Sequence, residues 1–217
     1  MDSAIPAVIG AAAGLAWGVV ADRIAARWPA HEDGRVRPVD WRTVAVAIAG
    51  ALALALLVDR LGADLASCIY VGVVVVLLVL LFATDLDQRL LPDVVTLPLV
   101  AYSLVGFVAG IGPFVVTPED LLWAAVAGIA LPAALLIISI PFGAGAIGIG
   151  DLKLLLGVGL LVGATRILAT VILGALAAAV AIVILLAARR ITLKSYVPYG
   201  PFLIAGALWA MLATRPG

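Results

Sequence analysis

Cysteine and histidine are almost absent from this chain, and their scarcity excludes several kinds of site. The 217 residues include one cysteine, Cys68, and one histidine, His31. A single cysteine cannot form a disulfide within the chain, and a zinc cluster needs several cysteine or histidine ligands. We therefore expect no metal ion, no cofactor and no cysteine nucleophile. We interpret Cys68 as a small apolar filler and His31 as a solvated loop residue.

Charged residues are also scarce. They make up 12% of the chain, and 13 Lys and Arg residues balance 13 Asp and Glu residues. A neutral chain lacks the basic surface with which proteins attract nucleic acid, so we expect no nucleic-acid partner. Apolar residues make up 65% of the chain. Such a composition indicates a polytopic membrane protein surrounded by lipid.

The apolar runs predict an all-α architecture. Most are about 18–25 residues long, close to the roughly 20 residues that cross a bilayer as a helix. The runs argue against strands, because they lack alternation and because the backbone groups at an open sheet edge find no hydrogen-bond partners in lipid. We predict about eight transmembrane helices in a single domain, residues 1–217. The predicted helices cover residues 5–26, 43–61, 65–84, 94–111, 121–140, 151–163, 167–188 and 198–213.

Basic residues are distributed unevenly between the predicted loops. Eight crossings place the loops after helices 1, 3, 5 and 7 on one side, with ten of the 13 Lys and Arg residues. By the positive-inside rule this side faces the cytoplasm, and both termini lie outside. The first helix follows Asp2 and no basic residue, so it lacks the start of a cleavable signal peptide. We expect that helix to be retained.

Two short segments on the predicted cytoplasmic side combine acidic residues with turn formers. Residues 85–93 read DLDQRLLPD and follow helix 3, and residues 148–153 read GIGDLK and open helix 6. An ionisable residue at the end of a membrane helix is a functional candidate, although Asp151 could simply cap its helix. The two segments therefore contain the candidate site.

Two carboxylates can hydrolyse a peptide bond without a metal ion or a serine or cysteine nucleophile. When they lie close together they share one proton and titrate as a unit, so one activates water and the other protonates the carbonyl oxygen. We predict that Asp85 and Asp151 form this pair. Gly148 and Gly150 can adopt positive φ and let a substrate backbone approach, or they can serve helix packing instead.

The first segment offers more than one acid. Asp85 and Asp87 both lie near the end of helix 3, and Asp85 lies closer to the apolar run, where its ionisation is more easily perturbed. Asp87 and Asp93 are secondary candidates. We interpret Asp87 as a solvated acid that could meet a basic substrate, and Asp93 as a helix cap. Lys153 could orient a carboxylate or bind lipid phosphate.

The paired segments resemble those of the type IV prepilin peptidases, a family of GxGD membrane aspartyl proteases. Gly148-x-Gly150-Asp151-x-Lys153 looks like the GxGD segment, and Thr84-Asp85 through Leu91-Pro92-Asp93 looks like the other aspartate segment. The resemblance covers residues 82–202 and includes PYGPF at 198–202.

The resemblance implies a catalytic pair, Asp85 and Asp151, with Gly148, Gly150 and Lys153 in the active-site loop. It also implies that prepilin or pseudopilin precursors with short basic leaders are cut at the cytoplasmic face of a prokaryotic inner membrane. The apolar part of the substrate would lie among membrane lipid. Pilus assembly and type II secretion are the processes that use such substrates.

The chain departs from the family between the first two helices. Prepilin peptidases commonly carry an insert there with paired CxxC motifs, linked to methylation of the new N-terminus with S-adenosylmethionine. Residues 28–42 are instead a short loop without cysteine, too small to build a hydrophobic core. We therefore predict cleavage without methylation.

Other functions remain open from the sequence. An ion- or proton-coupled transporter would also place acids and a broken glycine-rich segment in the membrane, but the chain shows no inverted repeat. A catalytically inactive assembly protein is a further alternative. Presenilin-like and signal-peptide-peptidase-like proteases carry Tyr-Asp in their other aspartate helix, whereas this chain has Thr84-Asp85.

Overall fold

The computed structural model describes residues 4–30, 34–142, 148–190, 192 and 199–213. Within these ranges all regular secondary structure is helical, as predicted. The elements are α1 (Ala4–Ala25), α2 (Trp41–Leu61), α3 (Leu65–Gln88), α4 (Asp93–Ala109), α5 (Pro118–Ser139), a 3-10 turn (Ile140–Phe142), α6 (Ile149–Ala187) and α7 (Gly200–Leu212). His31 and the predicted start of the last helix at Pro198 lie outside the described residues.

Several helices are long and apolar enough to cross a membrane. Among the described residues these are α1, α2, α3, α5 and α6, whereas α4 and α7 have 17 and 13 residues. Many large apolar side chains point outward, such as Trp123 and Ile129 on α5 and Ile172 on α6. Exposed apolar side chains of this kind suit contact with lipid. The count of eight crossings stays a prediction.

The chain folds back sharply within α6. The element has 39 residues, so a straight helix would be about 58 Å long, nearly twice the hydrocarbon thickness. Gly163, however, has φ 80° and ψ 175°, which is not helical. A Cβ built on Gly159 would lie 3.5 Å from Cγ1 of Ile167, although eight residues of straight helix span about 12 Å. Residues 149–162 and 164–187 are therefore separate helical segments, which agrees with the predicted boundary between helices 6 and 7.

Glycines spaced four residues apart bring α1 and α2 into close contact. A Cβ built on Gly14 would overlap the carbonyl oxygen of Gly50, and one on Gly18 would overlap that of Val46. Small residues at helix interfaces let backbones approach in lipid, where burial of apolar side chains gains little. This GxxxGxxxG pattern, beginning at Gly10, was not recognised in the sequence analysis.

Contacts between distant segments gather several helix ends at one end of the bundle, here called the polar end. Arg42 at the start of α2 contacts Asp87 near the end of α3, at 3.1 Å. Lys153 at the start of α6 contacts Asp93 at the start of α4, at 2.7 Å. Both aspartate segments therefore lie at the polar end. Below it, a buried core joins α3, α4, α6 and α7 and includes Leu78, Leu81, Leu99, Leu154, Leu155 and Leu203.

Candidate active site

Asp85 lies in the last turn of α3. The prediction ended this helix at residue 84, but it continues to Gln88 and stops at Arg89, which adopts the left-handed conformation with φ 56°. The Arg89 amide donates to the Asp85 carbonyl at 2.9 Å and so closes the helix. The Asp85 residue is only 5% exposed, and its Oδ2 has no hydrogen-bond partner among the described residues.

Asp151 lies in the first turn of α6. Gly148 is the N-cap residue rather than Asp151, but the Asp151 carboxylate accepts a hydrogen bond from the Gly148 backbone amide and so helps to cap the helix. At its position the unpaired amides of the helix start favour negative charge. Neither Gly148 nor Gly150 has positive φ, so that expected use of glycine is wrong. Instead, a Cβ on Gly150 would lie 2.8 Å from Cβ of Leu91, so this glycine allows close packing.

Asp85 and Asp151 come together beside Gly200, the first residue of α7. Asp85 Oδ2 and Asp151 Oδ1 both lie within 3.2 Å of one point, the position that a Cβ would occupy on Gly200. A water molecule bonded to two oxygens needs about 2.8 Å to each, so carboxylates this close can share one water. The two segments that the sequence analysis paired are thus adjacent in space.

A cleft of about 220 Å³ surrounds the two carboxylates. Its walls come from the end of α3, the loop between α3 and α4, and the first turns of α6 and α7. The lining residues are Asp85, Arg89, Leu90, Leu91, Gly148, Ile149, Gly150, Asp151, Tyr199 and Gly200. Arg89, Leu90, Gly148 and Ile149 are exposed, so they form its rim. The cleft therefore combines an acidic floor with apolar side walls.

Asp87 faces away from this cleft. Arg37 Nε lies 2.6 Å from Asp87 Oδ1, and Arg42 Nη1 lies 3.1 Å from the same oxygen. The first contact is an ion pair, because the Arg37 Nε–H is not aligned for a hydrogen bond. The Asp87 side chain is only 1% exposed. The interpretation of Asp87 as a solvated acid is therefore wrong, because the described part of the loop before α2, residues 34–42, folds over it.

The same loop is anchored to α1 by a second buried acid. Asp22 is fully buried and accepts hydrogen bonds from Arg23 at 2.5 Å, from Thr43 at 2.7 Å and from Arg37. Arg37 also pairs with Asp40 at 2.5 Å. Burial alone would lower the pKa of the Arg37 guanidinium, but Asp22 and its other acidic partners raise that pKa above its usual value. The loop is thus fixed by buried charge.

Asp93 and Lys153 form a pair at the surface. The N-cap of α4 is Pro92 without a side-chain cap, so the interpretation of Asp93 as a cap is wrong. Its carboxylate instead accepts from Lys153 Nζ at 2.7 Å. Lys153 therefore orients a carboxylate, but that of Asp93 and not one of the central pair. The contact ties the first turn of α4 to the first turn of α6.

Two residues of the cleft were missed as site residues, although they lie within the PYGPF segment. Tyr199 and Gly200 were interpreted as a helix breaker and start, which they are, but they also form a wall of the cleft. The Tyr199 hydroxyl donates to the Val171 carbonyl at 3.3 Å. Within the described residues no group of three or more His, Cys, Asp or Glu side chains could hold a metal ion.

Comparison with known proteins agrees with this arrangement. The model of the type IV leader peptidase family matches residues 72–185, just over half of the chain, and this range contains both Asp85 and Asp151. No curated protein and no solved structure matched the chain. With a family match of this extent, and with several helices apolar enough to span a bilayer, the chain is a membrane peptidase belonging to the type IV leader peptidase family.

Proposed function

We propose that this protein is an aspartyl endopeptidase in which Asp85 and Asp151 activate one water molecule. Its substrates are precursors of type IV pilins or pseudopilins, from which it removes a short basic leader. The observation that carries the proposal is the position of the two carboxylates, whose oxygens lie around one point in a cleft at the polar end. Membership of a peptidase family supports it.

The chemistry follows from a pair of acids that shares one proton. The ionised carboxylate takes a proton from water while the water oxygen attacks the peptide carbonyl carbon, and the protonated acid donates to the carbonyl oxygen. The tetrahedral intermediate then breaks its C–N bond. The proton taken from water passes to the leaving amine, and one hydroxyl of the intermediate returns its proton to the carboxylate that had donated one, which restores the shared proton. Because the pair titrates as a unit, acid and base are not assigned to individual residues.

The polar end faces the cytoplasm in this proposal. Described basic residues are concentrated there: Arg23, Arg27, Arg35, Arg37, Arg42, Arg89, Lys153, Arg189 and Arg190. Arg60 and Arg166 belong to the opposite end. This asymmetry follows the positive-inside rule for an inner membrane. Besides the 3-10 turn, the break at Gly163 yields eight α-helical segments in the described ranges, which supports eight crossings. With eight crossings both termini lie outside, and we take residues 1–217 as one domain.

A prepilin fits this arrangement physically. Its apolar helix can lie in lipid against the outer faces of the bundle while its polar leader reaches the cleft rim from the cytoplasm. The leader's basic residues are attracted to the exposed carboxylate of Asp93, although its pairing with Lys153 and the charge of Arg89 at the rim both oppose them. We propose cleavage without methylation, because residues 28–42 are too few to build the core of a methyltransferase domain.

Co-expression with a candidate prepilin tests the proposal. Asp85→Asn and Asp151→Asn should each abolish processing, because an amide can neither deprotonate water nor supply the shared proton. Asp59→Asn is the matched control, since Asp59 is a partly exposed acid at the other end of the bundle, paired with Arg60. Retained processing in either site variant would contradict the mechanism, and no processing by the wild type would favour an inactive assembly protein.

A further inference from the structure

Gly200 is enclosed by the two carboxylates rather than by a helix interface. The three atoms nearest to its Cβ position are Asp85 Oδ2, Asp85 Cγ at 2.8 Å and Asp151 Oδ1 at 3.2 Å. At packing glycines such as Gly14 and Gly206 the nearest atoms belong instead to the backbone of a neighbouring helix. The absence of a side chain at Gly200 therefore leaves room for the two carboxylates rather than for a neighbouring helix.

The surroundings of Asp85 Oδ2 indicate the role of the space beside Gly200. It belongs to a residue that is 5% exposed, it has no partner among the described residues, and it faces Gly200. A buried, ionised carboxylate oxygen without a hydrogen bond is costly, so a donor that reaches it is stabilising. A water molecule between the two carboxylates can supply that donor and is also the molecule that the proposed reaction consumes. A methyl group on Gly200 would overlap Asp85 Oδ2 and intrude on this space.

The first turn of α7 is held firmly in place. Tyr199 donates through its hydroxyl to the Val171 carbonyl, and its own carbonyl accepts the Phe202 and Leu203 amides, both at 3.1 Å. Further along α7, a Cβ on Gly206 would overlap the Thr170 carbonyl oxygen, so the backbones of α7 and α6 already touch. The helix has no room to retreat on that side if Gly200 acquires a side chain.

We infer that Gly200 is a positioning residue whose missing side chain keeps the space between Asp85 and Asp151 open for the attacking water and the substrate carbonyl. The catalytic part of this inference, that the space admits the attacking water and the substrate carbonyl, rests on the proposed function. The steric part rests on the positions of the three residues alone. Gly200 touches neither reacting atom in this role and acts through the placement of the carboxylates.

Cleavage of a prepilin by purified protein in lipid nanodiscs tests the catalytic part. Gly200→Ala should lower the rate about 100-fold, the scale of loss when reacting groups are misplaced by about 1 Å. Gly128→Ala is the matched control, because its added Cβ would meet nothing closer than 3.4 Å and lies away from the cleft. This control should cleave at the wild-type rate. Wild-type cleavage by Gly200→Ala would overturn the inference.

Thermal unfolding tests the steric part without any activity. Gly200→Ala should lower Tm in the wild-type background and in Asp85→Asn, which keeps the bulk of the side chain. In Asp85→Ala the carboxylate is gone, so the same substitution should cost little. Equal losses of Tm in all three backgrounds would overturn the inference. A wild-type chain that cleaves no prepilin would remove the proposed function, while this coupling still decides the role of Gly200.

Discussion

Asp85 and Asp87 lie two residues apart in the last turn of α3 and face different surroundings. Asp85 faces Gly200 and Asp151 in the cleft, whereas Asp87 is paired with Arg37 and Arg42. Successive residues of a helix are rotated by about 100°, so a separation of two turns the side chains to nearly opposite sides. One turn of helix thus presents one acid to the candidate site and uses the other to hold the loop of residues 28–42.

Substitution of these two acids should have opposite effects on stability. Asp87→Asn leaves the buried Arg37 with two of its three acidic partners, so we expect unfolding to become easier by about 1–3 kcal/mol. Asp85→Asn removes a buried charge beside Asp151 and should leave Tm unchanged or higher. Thermal unfolding in detergent micelles measures both. A stable Asp87→Asn protein together with an unstable Asp85→Asn protein would reverse the assignment of roles.

The backbone of Gly163 gives a second prediction. Its φ of 80° with ψ of 175° belongs to a region that only glycine occupies readily, and space for a Cβ is available, the nearest atom being 3.4 Å away. Gly163→Ala should therefore lower the free energy of unfolding by about 1–3 kcal/mol through strain rather than overlap. Gly128→Ala, with a similar nearest contact but in regular helix, should cost less. Equal effects of the two substitutions would show that the turn tolerates a side chain.

The dependence of cleavage on pH gives a third prediction. A pair that shares one proton lacks a base when both acids are protonated and lacks an acid when both are ionised. The rate of cleavage should therefore fall at both low and high pH, giving a bell-shaped profile of kcat/KM. Circular dichroism at each pH provides the control for unfolding. A profile that rises to a plateau without a second fall would contradict the shared proton.

The pairing of Asp85 with Asp151 was predictable from the sequence, whereas the long-range partners of Asp87 were not. Asp151 after two glycines and Asp85 after an apolar run are signals contained in a few adjacent residues. Asp87 was misinterpreted because its partners, Arg37 and Arg42, belong to a loop at least 45 residues earlier in the chain. No pattern near Asp87 indicates that such a loop folds over it.

Some helix boundaries were likewise predictable from the sequence, and others were not. The break near Gly163 was predicted because Arg166 interrupts the apolar sequence there; the resulting helix of about 13 residues is short for a full crossing. The end of α3 was placed one turn early because its cap is Arg89, a residue that rarely adopts positive φ. Gly200 was not predicted as a site residue, because only the folded chain brings it against two carboxylates.

The proximity of Asp85 and Asp151 is the central claim, and the near absence of cysteine makes it directly measurable. Cys68 is the single cysteine, so Cys68→Ala provides a background without thiols. In that background, Asp85→Cys with Asp151→Cys should be joined within native membranes by a short bifunctional thiol reagent, and Asp87→Cys with Asp151→Cys should not. Cross-linking of the first pair alone is the predicted result; failure of the first pair, or equal cross-linking of both, would contradict the account.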